Sequence, residues 1–120
     1  MVWDFENTDE FGAWFVDLSE GDQDAVDFAV DLLIAQGPSL RFPHSSGIAQ
    51  SRYPHMRELR IQSGGRPLRI FYAFDPRRSA ILLIGGDKTG DGRFYERLIP
   101  VADALYDLHL NELRQEGLLK

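Results

Sequence analysis

Between residues 56 and 84 three apolar-rich segments follow one another across short turns, and this arrangement constrains the architecture more tightly than any other feature of the chain. Met56 to Gln62 alternates, with Leu59 and Ile61 on one side and Glu58, Arg60 and Gln62 on the other, before Gly64-Gly65 supplies a hairpin turn. Leu68 to Phe74 sets Leu68, Ile70, Tyr72 and Phe74 on one face and Arg69, Phe71 and Ala73 on the other. Asp75-Pro76-Arg77-Arg78 makes a second tight turn, and Ala80 to Ile84 reads as an apolar central strand. Strands joined this closely pair antiparallel, because a parallel pair needs a crossover of about a dozen residues.

Around this meander the periodicity becomes helical. Val2 to Phe5 reads as a short first strand, and Asn7 with Glu10 as a capping pair for a helix carrying Phe11, Trp14, Phe15 and Leu18. Ser19 to Asp22 breaks the pattern, which resumes through Val26, Ala29, Val30 and Leu33 until Gly37-Pro38 ends it. Residues 37 to 55 read as a long loop, and Gly85 to Gly92 as an exit loop. From Arg93 onward Leu98, Val101, Leu105 and Leu108 mark a last helix, expected to kink near Pro100. The expected fold is α+β in the order β-α-α-β-β-β-α, with helices on one sheet face and the other left for a ligand or partner. At 120 residues, 43% of them apolar, the chain suits a single domain over 1–120 that buries roughly two thirds of its unfolded surface.

Composition removes several chemistries. With no cysteine, disulfides, thiolate metal sites and cysteine nucleophiles are excluded. No apolar run approaches the ~18 residues of a membrane span, and the acidic stretch from Met1 to Glu10 lacks the features of a signal peptide, so a soluble cytoplasmic protein is expected. The net charge of -6 hides a split: residues 1–36 carry ten acids and no Lys or Arg, whereas residues 41–97 carry eleven bases against five acids. A nucleic-acid partner is therefore compatible with the acidic average.

Met56-Arg57-Glu58-Leu59-Arg60, Gly65-Arg66-Pro67-Leu68-Arg69-Ile70-Phe71-Tyr72-Ala73-Phe74-Asp75-Pro76, Ile84-Gly85-Gly86-Asp87-Lys88-Thr89 and Arg93-Phe94-Tyr95 together resemble the HigB-like toxins of the RelE/ParE superfamily. The likeness covers about residues 53 to 110 and extends to the layout of the first half. It implies a RelE-like fold and a type II toxin-antitoxin system. The implied activity is metal-independent endoribonuclease cleavage of messenger RNA on the ribosome, with no cofactor and with translation as the process inhibited. The implied partner is a cognate antitoxin, expected to be a helix-turn-helix DNA-binding protein. ParE-like relatives instead poison DNA gyrase, which keeps a non-catalytic inhibitor as the alternative. A family member retained only for binding is a third reading, motivated by the acidity of the chain and by Glu58.

Metal-free RNA cleavage needs a base for a 2′-OH, cations for the phosphorane and a proton donor for the leaving 5′-oxygen. Arg69 resembles the phosphate-stabilising arginine of RelE-type enzymes, the other reading being an ordinary surface salt bridge. Lys88 falls where the family has a basic residue and is, with Lys120, one of two lysines beside eleven arginines. As a base it would need a lowered pKa; as a cation it would hold the phosphate, which is the favoured role. Tyr95 falls where the family has a tyrosine that stacks on a base or assists proton transfer; otherwise it packs at a helix start. Arg60 and Glu58 share the polar side of their strand, so Glu58 could orient Arg60 or Arg69, or serve as a general base. RelE itself favours a basic residue near that place. Arg57 and Arg66 read as RNA-positioning charges, and His55 as an RNA-contacting or acid–base group, whereas His44 and His109 read as solvated or structural. No metal is expected, since Asp87 and Asp91 lack further ligands nearby in sequence.

Overall fold

A computed structural model describes residues 2–119, leaving Met1 and Lys120 outside the described residues. The chain runs β1 (Phe5–Asn7), α1 (Asp9–Val16), α2 (Glu20–Gln36), a 3-10 turn (Gly37–Ser39), β2 (Ser45–Gly47), β3 (Arg57–Ser63), β4 (Arg66–Phe74), β5 (Ala80–Asp87) and α3 (Phe94–Gln115). This is the α+β arrangement that the patterning predicts, with β2 added, and it is consistent with the RelE-like fold that the resemblance implies. The sheet order is β1-β5-β4-β3-β2. β3, β4 and β5 pair as antiparallel hairpins, β2 extends the sheet beside β3, and β1 lies parallel to β5 at the other edge. No helix among the described residues is long and apolar enough to cross a membrane.

Several expectations are corrected in detail. The first strand is Phe5–Asn7 rather than Val2–Phe5, and Thr8 rather than Asn7 caps α1. Thr8 Oγ1 accepts the Phe11 N–H at 3.0 Å and donates to the Leu83 carbonyl at 2.6 Å, so one hydroxyl both caps the helix and ties it to β5. The long loop after α2 contains β2, whose Ser45 and Gly47 oppose Leu59 and Arg57. Gly85, Gly86 and Asp87 are not an exit loop but the end of β5, opposite Ile70, Arg69 and Leu68. The glycines are there for close approach: a Cβ at Gly85 would sit 2.3 Å from the Trp14 ring, and one at Gly86 would sit 2.8 Å from the Phe94 ring.

The helices also divide differently from the expectation. α1 and α2 cover the face carrying Leu59, Ile61, Leu68, Ile70 and Tyr72, whereas α3 covers Phe71, Ala73, Ile81 and Leu83 on the other face. The second face needs that cover because β4 and β5 are apolar on both sides, which leaves Phe94, Ile99, Ala102 and Tyr106 of α3 as its partners. Pro100 lies within α3, exposed to solvent. On this face β3 contributes Glu58, Arg60 and Gln62 in place of apolar side chains.

Candidate functional site

The alternation of β3 sends Glu58 and Arg60 to the α3 side, and antiparallel pairing sets Arg69 directly opposite Arg60 and Gly86 opposite Arg69. Glu58 is the hub. Its Oε1 accepts the Tyr95 hydroxyl at 2.7 Å and lies 3.5 Å from Arg69 Nε. Its Oε2 accepts Ser46 Oγ at 2.8 Å and an Arg60 guanidinium nitrogen at 3.4 Å. Lys88, whose N–H is held by the Pro67 carbonyl at 2.9 Å, carries its Nζ to 5.4 Å from the centre of the Tyr95 ring. All five residues predicted to do chemistry are thus linked in one cluster.

Burial separates them into floor and rim. Glu58 and Arg69 are only 4% and 5% exposed, which corrects the reading of Arg69 as a surface salt bridge, while Arg60, Lys88 and Tyr95 are partly exposed. One Arg69 terminal nitrogen donates to the Leu68 carbonyl at 3.0 Å, but its buried Nε makes no hydrogen bond. That nitrogen faces Glu58 Oε1 across 3.5 Å, an ion pair rather than a hydrogen bond. Arg60 and Arg69 pair with the one carboxylate and Lys88 stands over the neighbouring Tyr95 ring, so the cluster holds three cations to one acid. Burial, and next the hydrogen bond to Glu58, push the Tyr95 hydroxyl above its ordinary pKa, with Arg69 opposing them. Tyr95 therefore stays protonated at neutral pH.

The other candidates lie elsewhere. Arg57 points to the α2 face, where its Nε donates to Ser45 Oγ at 3.0 Å. Arg66 bridges Asp22 of α2 at 2.6 Å and Asp87 at 2.9 Å. His55 stands beside Tyr106, with Nε2 3.2 Å from the hydroxyl, and His109 Nε2 lies 2.9 Å from Asp75 Oδ2. The structure does not bring Arg57, Arg66 or His55 to the Glu58 cluster: Arg57 takes the α2 side of β3 with Leu59 and Ile61, Arg66 is held by Asp22 and Asp87, and His55 packs on Tyr106 of α3. Ser46 was not expected at the site; it belongs to a serine-rich stretch without period, so nothing in the sequence singled it out.

Residues 13–107 match the family described as Phage derived protein Gp49-like (DUF891), an interval that takes in the whole cluster. Over 91 residues the chain is 44% identical to a Mycobacterium tuberculosis (strain ATCC 25618 / H37Rv) protein named "Putative toxin HigB3", covering 75% of this chain and 78% of that protein. Over 106 residues it is 36% identical to "Putative toxin HigB2" of the same organism, covering 87% of this chain and 53%, about half, of that relative. No solved structure matches the chain significantly. The match across most of the chain and the identity to these relatives show that the chain belongs to the Gp49-like (DUF891) family, the family of HigB-type toxins.

Proposed function

We propose that this protein is the toxin of a toxin-antitoxin system and that it acts as a metal-independent endoribonuclease on messenger RNA at the ribosome, neutralised by a cognate antitoxin. The observation that carries this reading is the convergence of Arg60, Arg69, Lys88 and Tyr95 around the buried Glu58 on one sheet face. In-line cleavage begins when a 2′-OH attacks the adjacent phosphorus, and it proceeds through a phosphorane with additional negative charge. Arg60 and Lys88 at the rim would grip the phosphate while Arg69 beneath, ion-paired with Glu58, adds positive charge to the floor of the site.

Proton movement follows the same geometry. Tyr95 Oη takes the proton of the attacking 2′-OH as it passes its own to Glu58 Oε1, 2.7 Å away. Lys88 Nζ gives a proton to the departing 5′-oxygen. The products are a 2′,3′-cyclic phosphate and a free 5′-OH, and solvent returns the proton from Glu58 to Lys88. An acid where RelE-type enzymes have a base is accommodated because the surrounding cations outnumber it.

Inducible expression with and without the antitoxin, followed by mapping of mRNA 5′ ends within minutes, tests the reading. New ends inside translated codons are expected, and they should vanish in Lys88→Ala and Arg69→Ala proteins shown by circular dichroism to be folded. Growth arrest with unchanged mRNA would sink the ribonuclease reading and point to a protein target such as gyrase.

A further inference from the structure

On the side of Tyr95 away from the strands the surface sinks into a cavity of 570 Å³, lined by Gln50, Arg52, Tyr95, Glu96, Ile99 and Pro100 among others. The cluster mechanism uses none of these residues except Tyr95, which borders both spaces. The volume falls within the ~300–1,000 Å³ typical of small-ligand sites. Its lining joins the buried Ile99 and half-buried Tyr95 to the exposed Pro100, Gln50, Arg52 and Glu96.

The cavity is built rather than incidental. Asp103 of α3, 5% exposed, accepts Ser51 Oγ at 2.5 Å and the Arg52 N–H at 3.0 Å. One turn further along α3, Asp107 accepts from the Arg52 guanidinium and the Tyr53 hydroxyl. These bonds clamp the 50–53 segment to the helix and so fix the two sides of the cavity relative to each other.

We propose that this cavity is the base-specificity pocket of the site, taking a nucleobase next to the cleaved bond and preferring one with an amino group on its Watson–Crick edge. The inference rests on the ribonuclease reading. A phosphate seated on Arg60 and Lys88 leaves its flanking base on the Tyr95 side, where the apolar lining suits an unstacked ring. In the same lining Glu96 accepts hydrogen bonds but cannot donate them, and Gln50 can do both. Adenine, cytosine and guanine offer an exocyclic amine to such acceptors; uracil presents two carbonyls and one N–H.

The test uses the full chain and two variants outside the catalytic cluster, Glu96→Gln and Gln50→Ala. In the parent, mapped cleavage sites should be depleted in uracil at one position beside the scissile bond by on the order of tenfold. Both variants should lose that depletion, read as the ratio of sites with and without uracil at that position. An unchanged profile in both, or no discrimination in the parent, overturns the pocket and leaves the ribonuclease reading standing. If the parent cleaves no RNA, that reading fails, and NMR titration of the Lys88→Ala protein with nucleoside monophosphates decides the pocket alone. Shifts at the Arg52 and Ile99 amides, larger for AMP, CMP and GMP than for UMP, support it; their absence overturns it.

Discussion

The two faces of the sheet share strands but not chemistry. Toward α1 and α2, Leu59, Ile61, Leu68, Ile70 and Tyr72 meet Val26, Val30 and Leu33 in an apolar core. Toward α3, neighbouring positions on β3 and β4 carry Glu58, Arg60 and Arg69 beside Phe71 and Ala73. A shift of one residue along a strand moves a side chain from one face to the other, so stability and chemistry can be assigned to alternate positions of the same seven-residue strand. The apolar face supplies the burial energy against which the second face holds a charged group out of water.

The sharpest way to break this comparison is to damage each face alone. Leu68→Ala removes a side chain with no exposure and should cost about 2–5 kcal/mol in urea unfolding, with RNA cleavage per folded molecule unchanged. If cleavage falls in proportion, the faces are not separable. Lys88→Ala should do the converse: stability within about 0.5 kcal/mol of the parent, and cleavage lower by about 10²–10³. Glu58→Gln lies between the two, since it keeps the shape but removes the charge facing Arg60 and Arg69. A loss of about 1–3 kcal/mol is expected in the same unfolding assay, with cleavage impaired more than in Ser46→Ala. Thr8→Ala should cost about 1 kcal/mol through the lost cap of α1 and leave cleavage alone.

The smallest effect concerns acid. Burial opposes ionisation of Asp75, but hydrogen bonds from His109, Arg77 and the Ser79 N–H outweigh it and hold the carboxyl below its ordinary pKa. A depressed folded-state pKa contributes stability above the unfolded value of ~3.9 and loses it as pH falls through the folded value. Urea midpoints measured from pH 5 downward should therefore fall less steeply in Asp75→Asn than in the parent.

Much of this architecture was legible in the chain, for reasons that also explain the rest. Period-two alternation from Met56 to Phe74 gives both strands and both faces, because neighbouring side chains must point to opposite sides. Arg69, Lys88 and Tyr95 stood out by resemblance, and Glu58 and Arg60 by sharing a side of β3. Burial was not legible: a charged residue between Leu68 and Ile70 reads as surface until Tyr95 and Glu58 close over it. β1 and β2 are three residues each and depend on partners far along the chain, which no local pattern reveals. Gly85 and Gly86 signalled a loop because the rings that require them, Trp14 and Phe94, come from distant helices.

Those two glycines also couple the two faces mechanically. Trp14 rests on Gly85 and Phe94 on Gly86, from opposite sides, with only the backbone of β5 between them. Close-packed interiors transmit displacement rather than absorb it. Phe94 opens α3 and is followed directly by Tyr95, so two rings and one strand lie between α1 and the hydroxyl on Glu58. The chemistry of one face is therefore built on the same strand backbone that the other face packs against.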